Sequence, residues 1–370
     1  MKMLYITSLS GKRINGFMRS AIVAAHRAEV EFVMACNTNM SDTEGYKKDC
    51  IDYNIKVIHV DFDRNPLSHK NIKAYRQLNK IMHDDKYDIV HCNTPIGGVL
   101  GRICAKKVGI NNIIYMAHGF HFWKGAPLVN WMLYYPIEKI LSKYSDIIIT
   151  ITKEDYEFAK KHFKTQIKYV HGVGVNLEDF SGKKSKCNNL RQAIGIPDNA
   201  TVILSVGELN KNKNHKIVMD AINICKHEIC YVICGEGELY NEYQEYIKEH
   251  GMNQKVFLVG FRHDVKDFYK MADIFVFPSL REGIPGAIME AIASGIPVIA
   301  SDIRGVRDII QDSWYRFSPK NTKQLAQLID NVIDRDNTIN CRNNIQNIKP
   351  YLFDSVVNEL KEIYENMATN

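Results

Sequence analysis

Long apolar runs are missing from this 370-residue sequence: no stretch approaches the ~20 apolar residues that span a bilayer. The amino terminus, MKMLYITSLSGKR, lacks the long apolar core and small-residue cleavage site of a secretory signal, so a cytoplasmic protein is expected. The nine cysteines form no C-x-x-C pair, and the C-Y-V-I-C of Cys230 and Cys234 has the wrong spacing for common zinc or redox motifs. Cys36, Cys92, Cys230 and Cys234 lie in apolar runs and read as reduced thiols acting as small hydrophobes. No G-x-G-x-x-G follows the first strand-like run, which argues against a nicotinamide oxidoreductase. There is no fine repeat, no low-complexity segment and no recognised nucleic-acid motif, so no nucleic-acid partner is expected.

What is present is ordinary in bulk: 45% apolar and 24% charged residues, in a chain long enough for two domains. The charge is unevenly spread. Met1–Phe180 holds 25 Lys+Arg against 18 Asp+Glu, a net +7, and the remainder holds 23 against 24, a net −1. A basic first half suits an anionic partner, whether a phospholipid surface, a lipid diphosphate or, by charge alone, nucleic acid, and equally an incidental solvated surface.

Short apolar runs alternate with helical patterns throughout. Strands are expected at Lys2–Ser8, Val30–Cys36, Lys56–Phe62, Asp88–Thr94, Asn112–His118 and Asp146–Thr152, with helices such as Asn71–His83 and Gly97–Lys107 between them. Continuous apolar runs suit strands covered on both faces, and the crossover spacing means parallel sheets. A glycine-rich polar stretch, His171–Asn189, reads as a linker. A second array follows at Thr201–Leu209, Glu228–Gly237, Lys255–Phe261, Ile274–Ser279 and Pro297–Ser301. The expectation is an α/β protein of two Rossmann-like doubly wound domains facing across a cleft. The domains are set at 1–175 and 176–350, with a last helix over 351–370 that packs on either one. Ligands of open parallel sheets bind beyond the carboxyl ends of the strands, so the loops there are the place to seek chemistry.

One such loop is PSLREGIPGAIMEAIASGIPVIAS, Pro278–Ser301. It predicts a strand end, a glycine-rich loop and a helix starting near Pro285–Gly286. Proline costs nothing in a first turn, glycine admits close approach, and the free amides with the positive dipole end favour an anion. Glu282 sits at the mouth and Glu290 on the helix. Carboxylates accept well from vicinal hydroxyls, so one acid suits a sugar and the other a ribose, with a diphosphate over the amides between them.

The pattern P-S-x-x-E-G-x-P-x-x-x-x-E-A-x-A-x-G-x-P-V-I-A, with its E-x7-E spacing, resembles the nucleotide-sugar signature of the retaining family-4 glycosyltransferases, which have the glycosyltransferase-B fold. SVGELNKNKNH (Ser205–His215) resembles the family's first donor-domain loop, Gly207 included, with Lys213 in the place of its lysine. Glu208 departs from the usual arginine. An acid there would repel phosphate, so Glu208 is expected to point away, with Lys213 or Lys211 supplying the charge. CGEGEL resembles the next glycine turn, carrying Gly235 and Gly237, and GFRHDV the segment bordering the base, where Phe261 or Arg262 is expected. Plain turn residues explain these last two segments equally well.

In the first domain, MAHGFHFWKGAPLVNWMLYYPIEK places His118 at a strand end, followed by Gly119, and this position in the family faces the donor sugar. His121 and Trp123 are weaker candidates on the acceptor side. Trp123, Trp131, Tyr134 and Tyr135, beside Lys124 and Lys139, suit either a membrane interface or a lipid-linked acceptor, or else plain packing between helices. Gly16, in SLSGKRING, matches the acceptor-side glycine loop in position but not in spacing. The D-F-D of Asp61–Asp63 looks like a metal motif of another glycosyltransferase fold and reads as strand-end acids, since no converging oxygens are evident.

With HCNTPIGGVLGR (His91–Arg102), these features resemble the exopolysaccharide and capsule type in particular. The resemblance implies a retaining, metal-independent enzyme that needs no cofactor. Its donor would be a nucleotide-sugar, UDP-linked for preference. Its acceptor would be a polyprenyl-diphosphate-linked saccharide at the inner face of the plasma membrane. Lys213, Glu282 and His118 are the expected catalytic groups. Gly207, Glu208, Gly235, Gly237, Phe261, Arg262, Gly283, Ile284, Pro285, Gly286 and Glu290 are the expected donor contacts. Alternatives on the same architecture are a nucleotide-sugar 2-epimerase and a catalytically silent sugar-nucleotide-binding subunit.

Overall fold

The apolar runs of each half lie side by side as parallel sheets with helices between them. The computed structural model describes residues 1–41, 43–180 and 188–368. The chain packs as two units, Met1–Gly174 with Phe353–Asn370, and Val175–Leu352.

In the first unit β1 (Lys2–Leu9), α1 (Gly16–Arg27), β2 (Glu31–Asn37), α2 (Glu44–Asp52), β3 (Lys56–His59), α3 (Lys70–Asp84) and β4 (Ile89–Asn93) come first. Then follow α4 (Pro95–Val108), β5 (Asn112–Ala117), α5 (Leu128–Leu141), β6 (Ile147–Thr150), α6 (Lys153–His162) and β7 (Gln166–Tyr169). The seven strands are parallel in the order β3-β2-β1-β4-β5-β6-β7. β4 is buried along its whole length, as the continuous apolar pattern requires. The edge strand β7 was not expected. Its sequence, QIKY, is half polar because a sheet edge is covered less completely.

In the second unit α7 (Leu177–Phe180), α8 (Asn188–Ala193), β8 (Thr201–Val206), α9 (Lys216–Ile222), β9 (Ile229–Cys234), α10 (Tyr240–Glu249) and β10 (Val256–Gly260) come first. Then follow α11 (Val265–Met271), β11 (Ile274–Phe277), α12 (Gly286–Ala293), β12 (Val298–Ser301), α13 (Arg304–Ile309), β13 (Arg316–Phe317), α14 (Thr322–Ile333) and α15 (Thr338–Asn347). The six strands are again parallel, β10-β9-β8-β11-β12-β13. The two-residue β13 is too short to leave a pattern in the sequence. Of the stretch read as a linker, 171–174 closes the first unit and 175–180 opens the second with α7, and 181–187 lie outside the described residues.

Both sheets grow outward in opposite directions from one point, between β1 and β4 in the first and between β8 and β11 in the second. Such a reversal leaves a crevice beyond the strand ends, and it fixes which loops bear ligand groups. The final helix, α16 (Phe353–Ala368), packs on α1 of the first unit. Arg27 Nη2 donates to Asp354 Oδ1 at 2.7 Å, and Tyr364 Oη lies 2.9 Å from Nδ1 of the buried His91. Cys36, Cys92 and Cys234 are buried free thiols, their pKa pushed up to about 12 by desolvation. Among the described residues no helix is long and apolar enough to cross a membrane.

Candidate functional site

In the second unit the loops after β8 and β11 flank the reversal point and are tied together. Lys213 Nζ lies 2.7 Å from Glu282 Oε1. Asn212 Nδ2 donates to the Arg281 carbonyl at 2.9 Å, and the Leu280 amide donates to the Asn212 carbonyl at 2.8 Å. Asn214 takes a positive φ of 55°, tolerable for asparagine, and its side chain donates to the carbonyls of Pro278 and Pro319. Below the loop a buried chain runs from His215 through Tyr231 Oη to Ser205 Oγ and the Val276 carbonyl. Burial lowers the His215 pKa to about 4, and Lys213 nearby adds to the effect. These bonds hold the backbone on either side of Lys213, whose ammonium meets Glu282.

Glu282 is followed by Gly283 and Ile284, and α12 begins at Gly286. Pro285 stands at its N-cap in extended backbone, one position before the first turn expected for it, and no side chain caps the helix. The first-turn amides are therefore open to an acceptor. Glu290, one turn on, is half-buried, and its Oε2 accepts from Tyr269 Oη at 2.9 Å. Burial raises its pKa, against the opposing pull of Tyr269 and Lys266.

Three glycines hold the frame by close approach. A methyl on Gly235 would lie 1.9 Å from the Gly207 carbonyl oxygen, and one on Gly237 2.4 Å from that of Leu209. One on Gly305 would lie 1.4 Å from the Gly283 carbonyl oxygen. Gly305 and the buried Arg304, whose Nε donates to the Glu282 carbonyl at 3.3 Å, were missed in the sequence. Their signal was available: S-D-I-R-G follows a strand end. Glu208 is exposed, and its Oε2 accepts from Asn210 at 3.0 Å. Phe261 is exposed, while the Arg262 fork is engaged by both oxygens of Asp264, so a base meeting this segment finds the Phe261 ring and backbone atoms. A wider opening of about 500 Å3 lies by Thr201, Ile274 and Pro297, at the amino ends of the strands and away from these loops.

In the first unit His118 follows β5. Its Nε2 lies 3.0 Å from Asn93 Oδ1, at the end of β4, and Phe17 meets the ring edge-on at 4.0 Å. The amide of Asn93 offers both a donor and an acceptor, so this contact serves either tautomer of the ring. Nδ1 has no partner among the described residues. Burial lowers the pKa to about 4, so the ring is neutral at pH 7. Next to it Thr94 takes φ 62°, an uncommon value for a β-branched residue, held by Ser8, whose Oγ lies 2.6 Å from Thr94 Oγ1. Thr94, His118, Gly119 and His121 share a cavity of about 330 Å3 with Tyr134 and Glu138 of α5.

Gly16 does open α1, capped by Asn15 Oδ1, which accepts from the Met18 amide at 3.0 Å. Its want of a side chain has a packing reason: a methyl there would lie 2.3 Å from Val173 Cγ1. Trp131 and Tyr135 turn inward onto Phe122 and Phe158, and His121 stacks at a tilt on Tyr134. Trp123 is half-buried in the loop before α5, where its carbonyl accepts from the Ala126 amide at 2.9 Å. Asp61 is bound by Lys73 and Gln77, which bring its pKa down to about 2, and Asp63 binds Ser68 and the Asn65 amide. Both acids are thus accounted for by local structure.

Residues 9–152 match the family described as glycosyl transferase 4-like, and residues 187–349 that described as glycosyl transferases group 1. EpsD of Bacillus subtilis (strain 168), provisionally named a glycosyltransferase, is 40% identical over 262 residues, covering 69% of each chain. The chain belongs to the family-4 glycosyltransferases. A second relative of this glycosyltransferase is the UDP-Gal:alpha-D-GlcNAc-diphosphoundecaprenol alpha-1,3-galactosyltransferase of Escherichia coli, 29% identical over 81% of each chain. Among solved structures, Anabaena Alr3699/HepE in complex with UDP and glucose superposes with a TM-score of 0.79 at 18% identity, over the whole of both chains. That likeness supports the glycosyltransferase-B fold.

Proposed function

We propose that this glycosyltransferase moves a sugar from a UDP-sugar, with retention of anomeric configuration, to a hydroxyl of a polyprenyl-diphosphate-linked saccharide in surface-polysaccharide synthesis. The observation that carries the reading is the Lys213–Glu282 pair at 2.7 Å, set at the sheet's reversal point before an uncapped helix start. The naming of the Escherichia coli relative for a UDP-galactose donor and a diphosphoundecaprenol-linked acceptor supports the substrate classes. So does the UDP bound to the Anabaena structure.

Each residue then has a task. The amides after Gly283 and the Lys213 ammonium take the diphosphate, supplying the charge that a divalent ion supplies elsewhere. Gly207, Gly235 and Gly237 keep the strand ends close enough for this. Glu290 accepts from the ribose, its Tyr269 partner holding it in place. Phe261 and the backbone beside Arg262 meet the base. Glu282 accepts from a sugar hydroxyl, and His118 is the catalytic group that the first unit contributes. Gly119, His121 and Trp123 lie on the acceptor side, at the inner face of the plasma membrane.

In the reaction the bond from the anomeric carbon to the phosphate oxygen breaks first, and its electron pair stays on the diphosphate. The acceptor oxygen forms the new bond on the same face. Its proton passes to the leaving phosphate oxygen.

The test is a thermal-shift panel of UDP, GDP, ADP and NAD, with and without EDTA, on wild type and Glu290→Ala. A ligand that binds only the native state raises the melting temperature. A UDP-specific rise that survives EDTA and is lost in Glu290→Ala is expected, with an α-linked product from a UDP-α-sugar. A rise with NAD alone overturns the reading, and a rise with GDP replaces the donor.

A further inference from the structure

Helix α5 is apolar on both faces, and among the described residues only one face is covered. Trp131, Tyr135 and Glu138 face inward. Glu138 binds the fully buried Arg102 at 3.0 Å and accepts from Tyr115 Oη at 3.2 Å, which fixes α5 to α4 and β5. On the other side Leu128, Val129, Met132, Leu133, Ile137 and Ile140 are each between 45% and 79% exposed. Their spacing makes one continuous stripe along the helix, joined by the exposed Pro136. Scattered surface aliphatics need no explanation, but a contiguous stripe on a rigid helix does.

The charge around the stripe says what covers it. Between His121 and Ser145 the charged residues are Lys124, Lys139 and Lys143, all exposed, and Glu138, which is buried. Every exposed charge on this segment is therefore positive. Close by in the chain fold, Pro66 lines the same cavity as Ile137, and Leu67 beside it is 92% exposed, flanked by the exposed Arg64 and Lys70. Two copies meeting through this face in an isologous pair would set lysine against lysine. An aliphatic stripe with a lysine rim instead matches a bilayer interface, acyl chains beneath and phosphates at the edge.

We propose that α5 is a membrane-docking helix, lying along an anionic phospholipid surface with Met132 and Leu133 among the acyl chains. The cavity holding His118 and His121 is walled by this same helix, so docking brings its mouth to the lipid surface. The inference deepens the proposed function by naming the docking surface. It is read without donor or acceptor, so the two can fail separately.

The test is sedimentation of the full chain with vesicles of phosphatidylcholine, with and without phosphatidylglycerol. Wild type should sediment with the anionic vesicles, and less so at high salt. The doubly substituted Met132→Asp, Leu133→Asp protein should lose roughly tenfold or more in partitioning. Both side chains are exposed, so its melting temperature and its UDP response should match wild type. Lys139→Glu with Lys143→Glu should weaken docking to anionic vesicles alone. Wild type that stays in the supernatant with both vesicles overturns the proposal. So does a wild-type dimer that Met132→Asp, Leu133→Asp converts to a monomer, because a second copy would then cover the stripe.

Discussion

Replacing Gly286 by alanine separates a ligand reason for that glycine from a folding reason. Gly286 opens α12, its φ lies outside the left-handed region, and a methyl built on it meets nothing within 4 Å. Alanine is thus accommodated without strain, and it restricts the unfolded chain. The expected gain is about 0.4–1 kcal/mol, which raises the melting temperature of a unit this size by roughly 1–4 °C. The donor reading predicts the opposite sign for UDP, because the methyl stands where the diphosphate approaches the helix amides. UDP at a hundred times its Kd stabilises wild type by about 2.7 kcal/mol, and a tenfold weaker site retains only about 1.4 kcal/mol at the same concentration. Differential scanning fluorimetry with and without UDP, backed by calorimetric titration, should show a higher baseline melting temperature and a halved UDP response. Wild-type UDP affinity in Gly286→Ala would refute the placement of the diphosphate over α12. A baseline fall of several degrees would refute the steric argument.

Gly305→Ala should act in the other direction. Its methyl would stand 1.4 Å from the Gly283 carbonyl oxygen, so backbone must part by at least 1.6 Å to reach 3.0 Å, and kcat/KM should fall by about 10²-fold or more; unchanged transfer would mean that Glu282 need not be held in register. Glu282→Gln should bind UDP several-fold more tightly while turnover of the UDP-sugar is lost, since Lys213 no longer has to leave a carboxylate; titration with UDP and a turnover assay separate the two effects. Burial lowers the pKa of His91, His118 and His215 from 6.5 to about 3, 4 and 4. The unfolded chain then takes up protons first as pH falls below 6.5. Stability should be full above that value and drop by up to about 1.4 kcal/mol per histidine per pH unit towards pH 4. Urea titrations at pH 7, 5.5 and 4.5 test this, and a flat profile would contradict the burial argument.

The parts of the site legible in the sequence share one property: they lie within a single strand–loop–helix stretch. Glu282, Gly286 and Glu290 fall on either side of a helix start, and strand ends in a doubly wound array announce where ligands go. Lys213 was legible for the same reason. What escaped notice is assembled from distant segments. Asn93 and His118 meet because β4 and β5 pair in parallel, with Asn93 beside Met116, and no local pattern announces that partner. Arg304 and Gly305 reach the Glu282 loop from the end of the next strand, β12. The left-handed backbone of Thr94 follows from its bond to Ser8, 86 residues earlier. For α5 the difficulty was different. A helix apolar on every side has no polar face to point outward, so periodicity cannot say whether the aromatics or the aliphatics are buried. The aromatic cluster with Phe122 and Phe158, and the buried Arg102–Glu138 pair, decide it.

Lys213 lies against Glu282, so any other partner of its ammonium must compete with that carboxylate. A lysine without a partner in a half-buried loop would pay for desolvation, and so would an unpaired carboxylate. Each therefore orients the other. On the proposed function, a diphosphate entering over α12 competes with Glu282 for the ammonium. Once it succeeds, the carboxylate is released at the mouth of the loop, where a sugar hydroxyl is its natural donor. That reading makes nucleotide binding and sugar capture one exchange of partners, not two independent steps. The close contacts at Gly235, Gly237 and Gly305 hold the backbone of these loops in place, so such an exchange would need side chains alone to move.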